Sequence, residues 1–532
     1  MAKLKFSQPY QNWTTGLLGR FDRDDMAVQD ADNIKFVFPN DYDDPDDIQG
    51  WSVTYKTASG SDFKYSPGEG GFMEAVSGKV GSVEVRDELG NLVMKITGIK
   101  GVDIADIYQY IVNINDGNGP EADMNKVMEY LVRSNDTFTG TGGDDSFGIH
   151  DDFGNDIYKG KGGNDYFEVG AGNDTIDGGA DFDHLSFNNT LWSNTPRQGI
   201  EVNLDTGQII DAYGDTDTFM NIELFTGSRF ADTFLGPIGS PAEFFGVFGA
   251  RGADTFDFEV DSNVWVLYGD DRWNGGKRGV VVDLGGVKNG SGDVKGTIKD
   301  GYGHTDKTIN VRHVEGTEFD DSYKGSRLDD HFNPGRGGVD SFDGGKGVDW
   351  IHFDNNDNNP ISVNLSLGSG QIIDDGFGNT ENVTSVEAIV GSTQADTLIG
   401  NSGANQFLGN GGDDTMTGGL GKDKFIFGNF QGNGFGDTIT DFTSGKDKLV
   451  FDSEYIRNDD GPLDATLRFI MGDHSTAGAG KSQFYFNAAD STLHLDTNGS
   501  ASGGDMTVAV LTGVTSLSKN DIVIVQNYID IV

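Results

Sequence analysis

The stretch from Gly160 to Ser186 reads GKGGNDYFE, VGAGNDTID, GGADFDHLS: three nine-residue units in register, each with Asp sixth and an apolar residue eighth. This period constrains the fold more than any other feature, because a unit so short cannot bury a face alone and has to stack on its neighbours. The Gly-rich first six residues admit the positive φ and close backbone approach that a Cβ forbids, so each unit opens with a tight turn. The x-U-x that follows forms a very short strand, with Phe167, Ile176 and Leu185 inward and their neighbours facing solvent. Stacking such units places Asp165, Asp174 and Asp183 in a row along the turns. Carboxylate and carbonyl oxygens are what Ca²⁺ prefers, in six- to eight-fold coordination, and the chain has no Cys for softer metals. One turn supplies too few oxygens, so an ion is shared between turns and staples them together. A solvated acidic linker has no reason to keep an apolar residue two places after each Asp.

At 532 residues the chain is better described by periodic architecture than by a count of globular cores. Its Gly content, 80 residues, is about twice average usage, and its formal charge of −47 makes the metal-free chain repel itself. Nucleic acid and anionic membrane are poor partners for such a surface. If roughly ten divalent ions bind, on the order of twenty charges are neutralised, which couples metal uptake to folding. The absence of Cys removes disulfides and thiolate chemistry, and fits export of an unfolded chain. The start, MAKLKFSQPYQNWTTG, has no apolar h-region, and no run of 18 apolar residues occurs, so neither a Sec-type precursor nor membrane insertion is expected.

Residues 1–133 lack the repeat and read as a small β-rich N-terminal domain. Asn33 to Phe38 and Trp51 to Lys56 read as strands, and Ser82 to Thr97 as a hairpin around Leu89-Gly90-Asn91. Met124, Val127, Met128 and Leu131, after Gly119-Pro120, predict one helix closing this domain. The acidic loop Asp41 to Asp47 reads as solvated rather than as an extra calcium loop. A first roll occupies 134–190, carrying Asp145, Asp156 after a two-residue slip, Asp165, Asp174 and Asp183. Similar β insertions then recur at 191–226, 279–315 and 359–390, each opening on V-N-L or V-D-L and returning to a roll unit. Between them lie a degenerate second roll (227–278, Asp232 and Asp254) and a third (316–358, Asp321, Asp330, Asp340 and Asp349). The fourth (391–427) has Asp396, Asn405, Asp414 and Asp423 at strict spacing, and calcium occupancy is expected to be highest in the first and fourth rolls. Residues 428–532 form a β cap in which Asp437, Asp441 and Asp447 follow a changed spacing, as needed to cover the last apolar rung.

From about residue 134 to the C-terminus these motifs resemble the RTX family of secreted calcium-binding proteins, and the DTITDF segment with the QFYF and DIVIV strands looks like its cap and uncleaved export signal. The resemblance implies an all-β fold of tandem parallel β-rolls. It implies calcium ions between successive turns on one side of each roll, bound by the sixth-position Asp and turn carbonyls. It also implies passage unfolded through a type I secretion apparatus, with folding outside the cell in millimolar-scale calcium.

The sequence carries none of the common catalytic motifs of secreted hydrolases or nucleotide enzymes. The eight His include no H-E-x-x-H, and G-x-S-x-G and G-x-x-x-x-G-K-[ST] are absent. His184, His331 and His352 read as outward-facing surface residues, and carboxylates are too numerous for any pair to be informative. The favoured reading is a noncatalytic extracellular or cell-surface protein building a matrix, surface layer or adhesive fibre, with itself or cell-surface polysaccharide as partner. An extracellular enzyme acting on polysaccharide is the alternative, and a toxin is disfavoured for want of an amphipathic or apolar membrane segment.

Overall fold

The computed structural model describes residues 135–452 apart from 136, 149–153, 189–196, 237–244, 261, 273–274, 287–292, 355–358 and 429–435. It further describes 457–458, 461–462, 468–471, 483–496 and 505–525, and, before residue 98, the backbone of eight strands. The expected helix and the acidic loop 41–47 lie outside the described residues. The chain is all-β: among the described residues there is no α-helix, and the cap carries one 3-10 turn, Lys519–Asp521. Chain contacts divide it into Met1–Leu235 and Gly236–Val532.

In the first unit, strands of three residues line up in parallel. Ser146–Gly148, Tyr166–Glu168 and His184–Ser186 form one ladder; Thr137–Thr139, Ile157–Lys159 and Thr175–Asp177 form the other. Strands this short persist because each finds its hydrogen-bond partners in the turns before and after it. Consecutive nonapeptides therefore lie in opposite sheets, so the expected single row of Asp165, Asp174 and Asp183 is corrected to two. The Gly-rich loop reverses the chain after every strand, and a full coil turn takes two units. Eighth-position side chains from the two sheets meet inside: Phe138, Phe147, Tyr158, Phe167, Ile176 and Leu185 are all at most 2% exposed. Rings stack within a sheet (Phe138 on Tyr158 at 4.8 Å, Phe147 on Phe167 at 4.9 Å) and meet edge-on between sheets (Tyr158 to Phe167 at 6.4 Å).

The leading strands include those read from the sequence, Asn33–Val37, Ser52–Thr57 and the hairpin Val80–Arg86/Leu92–Thr97, all in one antiparallel array. Lys3–Phe6 joins that array to the roll, antiparallel to Leu92–Thr97 and parallel to Thr137–Thr139.

Each insertion contributes three strands, all in one sheet in the first two; in the third, Ser362–Asn364 and Ile372–Asp374 belong to one sheet and Asn382–Thr384 to another, linked by a bridge between Ile372 and Glu381. In the first, Thr216–Met220 continues the ladder of Thr175–Asp177, Gln208–Ile210 runs antiparallel beside it, and Glu201–Asn203 starts a parallel ladder with Thr233–Leu235. The second unit repeats this with Thr305–Ile309, Lys295–Lys299 and Val281–Asp283, and with Asn382–Thr384, Ile372–Asp374 and Ser362–Asn364. Two insertion hairpins are tied by one carboxylate: Asp211 Oδ1 accepts the amides of Tyr213, Gly214 and Asp215, and Asp300 Oδ1 those of Tyr302, Gly303 and His304. Each insertion leaves through a left-handed residue, Asn221, Asn310 or Ser385, at φ 52 to 55°.

In the second unit the outer side of one sheet is also buried. Trp350, Ala388, Val390, Leu408, Ile426 and Val450 form an apolar layer there. Consequently His331 and His352 are not surface residues: both are 3% exposed, their rings joined at 3.0 Å (Nδ1 to Nε2) among His313, Trp265 and Trp350. Burial holds all three imidazoles below their ordinary pKa. His184 is half-buried with Nε2 on Thr226 Oγ1 at 2.8 Å, and burial lowers it to about 4. Strand flanks predict exposure only where nothing covers the sheet. At the far end Gln483–Asn487, Thr492–Asp496 and Asp505–Leu511 form an antiparallel cap, and Ile522–Val525 adds the last parallel rung to Lys448–Asp452.

Candidate metal centre

The half-turn geometry sorts the sixth-position acids into rows, and within each row one bond repeats. The amide of one acid donates to Oδ1 of the acid a full turn later. In the first unit the rows run Asp145 to Asp165 to Asp183 (both 2.8 Å) and Asp156 to Asp174 (2.7 Å). In the second unit they run Asp321 to Asp340, Asp330 to Asp349, Asp396 to Asp414 to Asp437, and Asn405 to Asp423 to Asp447, at 2.8 to 3.1 Å. Asp254 donates to Asp306 at 2.9 Å. Asp232 receives the Ile200 amide at 2.7 Å. Asp441 stands outside the rows, its carboxylate taking the amides of Gly418 and Gly419. The other predicted residues are all at most 3% exposed.

Five acids that extend or end these rows escaped the sequence reading. Asp217 receives the Asp174 amide at 2.8 Å, Glu223 that of Asp183 at 2.8 Å, Asp306 that of Asp254, and Glu387 that of Asp349 at 3.2 Å. Glu381, fully buried, lies beside Asp340. They belong to the insertions, 38 to 52 residues beyond the acid they serve, and the shared T-[DE] of Thr216-Asp217, Thr305-Asp306 and Thr380-Glu381 was the available signal. A second ladder runs through the fifth positions: Asp144, Asn155, Asn164 and Asn173 side chains accept the amides of Asn164, Asn173, Phe182 and Thr216 at 2.8 to 3.0 Å.

The second oxygen of the row acids is what points to a cation. Oδ2 of Asp165, Asp174, Asp183, Asp217, Asp340, Asp349, Asp414 and Asp423 is buried with no hydrogen-bond partner, as are both oxygens of Glu381. A buried polar atom left so would be destabilising by about 1–3 kcal/mol, more if charged. The neighbourhood is built for a shared ion. A Cβ on Gly160 would lie 1.9 Å from Asp165 Oδ2 and 2.2 Å from the Gly178 carbonyl of the next turn, so carboxylate and carbonyl converge where only glycine fits. The same holds at Gly140, with Asp145 Oδ2 at 2.5 Å and the Gly160 carbonyl at 2.7 Å. Among the described residues no three acidic or histidine side chains surround one point, so an ion here draws on backbone carbonyls as well.

Without a cation these carboxyls resist ionisation. Burial, then Asp183 and Asp145, pushes Asp165 up to about 8; burial, then Asp156, pushes Asp174 to about 8. Burial and Asp174 take Asp217 to about 9, burial and Asp437 take Asp414 to about 9, and burial, Asp321 and Glu381 take Asp340 to about 10. A row of buried like charges needs protons or metal between its members.

Comparison with known families places the RTX calcium-binding nonapeptide repeat on residues 150–185 and 390–425. The first match contains Asp165, Asp174 and Asp183 and the second Asp414 and Asp423, whose Oδ2 atoms are buried without a partner. No curated protein matches the chain.

Proposed function

Because the chain is an RTX-repeat protein, whose nonapeptides bind calcium, we propose that it is a secreted structural protein that folds on taking up Ca²⁺ outside the cell and then builds a matrix, surface layer or adhesive fibre. The observation that carries the proposal is the set of rows of buried carboxylate oxygens with no protein partner, which cations between the turns would satisfy. When bound, calcium supplies the positive charge that the rows lack. The chain's own part is to aim Asp Oδ2 and turn carbonyls at common points and to hold them there through the Oδ1 ladders. A metal-free, self-repelling polymer of formal charge −47 suits passage through a type I secretion apparatus in an unfolded state. Once folded, the rolls are stacked rungs, whose exposed faces are available for self-association or for cell-surface polysaccharide. Electron microscopy of the purified chain with and without millimolar calcium tests the assembly role. Calcium-dependent filaments or sheets are expected, and a monodisperse monomer in calcium at high protein concentration overturns it.

One observation favours the enzyme reading. A cavity of about 470 Å³ in the second unit is lined by Phe248, Asp270, Arg272, Glu315 and Arg336, and burial, then Asp354 and Asp270, pushes Glu315 up to about 7. Release of reducing ends from polysaccharide by the native chain, lost in Glu315→Gln, would establish that reading in place of the structural one.

A further inference from the structure

The calcium rows are interrupted wherever an insertion enters the sheet, and the residues at those interruptions differ in a consistent way. Five sixth-position residues follow an insertion strand rather than another Gly-rich turn: Asp232, Asp321, Asp330, Asp396 and Asn405. In four of them the loop carries Ser or Thr second and a larger residue fourth, as in GSRFAD, GTEFDD, GSRLDD and GSTQAD.

The hydroxyl bridges the loop in both directions. Ser228 Oγ donates to Asp232 Oδ1 at 2.7 Å, and its backbone amide donates to Oδ2 at 2.7 Å. Ser392 does the same for Asp396 (2.8 and 2.7 Å), Thr317 for Asp321 (3.0 and 2.8 Å) and Ser326 for Asp330 (3.1 and 2.5 Å). Each hydroxyl also accepts the amide of the fourth-position residue, Phe230, Phe319, Leu328 or Gln394, at 3.0 to 3.1 Å. Asn405 reaches the same end by different chemistry: Oδ1 takes the Asn401 amide at 2.9 Å, and Nδ2 donates to the Glu387 carbonyl at 3.2 Å. At Asp330 a cationic aid is added, since the Arg312 guanidinium, standing where the other insertions carry Glu223 and Glu387, draws its carboxyl down against burial.

The cause is geometric. An ion shared between turns needs a Gly-rich loop on both sides. The turn before each of these residues comes instead from an insertion: Gln198-Gly199 before Asp232, Arg278-Gly279 before Asp321, Asn310 to Arg312 before Asp330, Asn359-Pro360 before Asp396, and Val386-Glu387 before Asn405. Their loops keep the roll's shape, with Gly391 packed against Asp396 Oδ2 and the Gly409 carbonyl at 2.4 Å from its missing Cβ. What changes is the donor that meets the carboxylate. Burial pushes Asp396 and Asp321 up only to about 6, with Ser392 and Thr317 among the groups holding them down, against about 9 and 10 for Asp414 and Asp340 in the following turns.

We propose that these five seam residues are not calcium ligands: the hydroxyls of Ser228, Thr317, Ser326 and Ser392 and the amide of Asn405 stand in for the cation, confining calcium to the turns inside each roll. The inference rests on calcium being the ion of the rolls, and one experiment separates the two ideas. The full chain is refolded in calcium, and bound ions are counted by native mass spectrometry for wild type, Asp396→Asn and Asp414→Asn. Unchanged ion number in D396N with loss of at least one ion in D414N is the expected result. Equal losses overturn the seam assignment while leaving calcium in the rolls. No loss in either variant overturns the calcium reading itself and the seam assignment with it. Should D396N fail to refold, Ser392→Ala decides: a native ion count with a lower melting temperature supports the seam, and a lost ion refutes it.

Discussion

Gly160→Ala puts one methyl group into the first roll where the structure has no room for it. Its Cβ would lie 1.9 Å from Asp165 Oδ2 and 2.2 Å from the Gly178 carbonyl, whereas carbon and oxygen tolerate about 3.3 Å. The carbonyl cannot retreat, because it accepts the Lys161 amide at 3.0 Å and its own residue's amide is held by the Met220 carbonyl at 3.1 Å. Asp165 has to swing out by roughly 1.4 Å, giving up the Asp145 amide it holds at 2.8 Å. A buried amide left without an acceptor, added to the overpacking, destabilises the roll by about 3 kcal/mol. That is about a hundredfold in equilibrium constant, or about tenfold in the calcium midpoint if about two ions enter with the roll. Gly142→Ala is the control in the adjacent turn: nothing lies within 4 Å of its Cβ, so it should be neutral or stabilising by about 0.4–1 kcal/mol through the unfolded chain. Hydrogen exchange over 137–186 at graded free calcium reads both variants in the full-length protein. Identical midpoints for G160A, G142A and wild type would refute the convergence of carboxylate and carbonyl on a common ion.

Asp174→Ala should weaken calcium uptake more than Asp232→Ala, and Asp217→Asn should resemble the former, since Asp217 continues the same row; calorimetric titration ranks the three. Phe167→Ala, which empties a site stacked on Phe147 and edge-on to Tyr158, should destabilise the roll by about 3–5 kcal/mol in calcium, read by denaturant unfolding. Acid should partly replace calcium. Carboxyls whose folded pKa is raised to about 8 or 9 contribute stability that is present below their ordinary 3.8 and lost as pH rises through the folded value. His313, His331 and His352, held below 6.5, act in the opposite sense and withdraw stability from the second unit below that pH. Chelated protein taken from pH 9 to pH 6.5 should therefore regain exchange protection in the first roll, and protection that instead falls on acidification would contradict the assignment.

The repeat made the local chemistry legible and left the long-range pairing hidden. Asp sixth and an apolar residue eighth describe the interior of the first roll residue by residue, because both follow from one nonapeptide. The alternation of Asp165 and Asp174 between sheets does not, since only the reversal at each loop decides which turn a strand pairs with. Asp217, Glu223, Asp306, Glu381 and Glu387 were missed for the same reason: they join their rows only after an insertion has folded back onto the sheet. The buried His331 and His352 defied the outward reading of strand flanks because the outer face of that sheet is itself a buried apolar layer, a property of the packed unit that no nonapeptide encodes. Among the described residues no helix is long and apolar enough to cross a membrane.

The most direct test of cation-coupled folding is far-ultraviolet circular dichroism of the intact chain at pH 9, above the raised pKa of Asp165 and Asp174, first in millimolar calcium and then in excess chelator. Collapse of the β signal to a coil-like spectrum on chelation, with recovery when calcium returns, is the predicted result. A β spectrum that survives chelation unchanged would mean the buried carboxylates are satisfied without metal and would contradict the account.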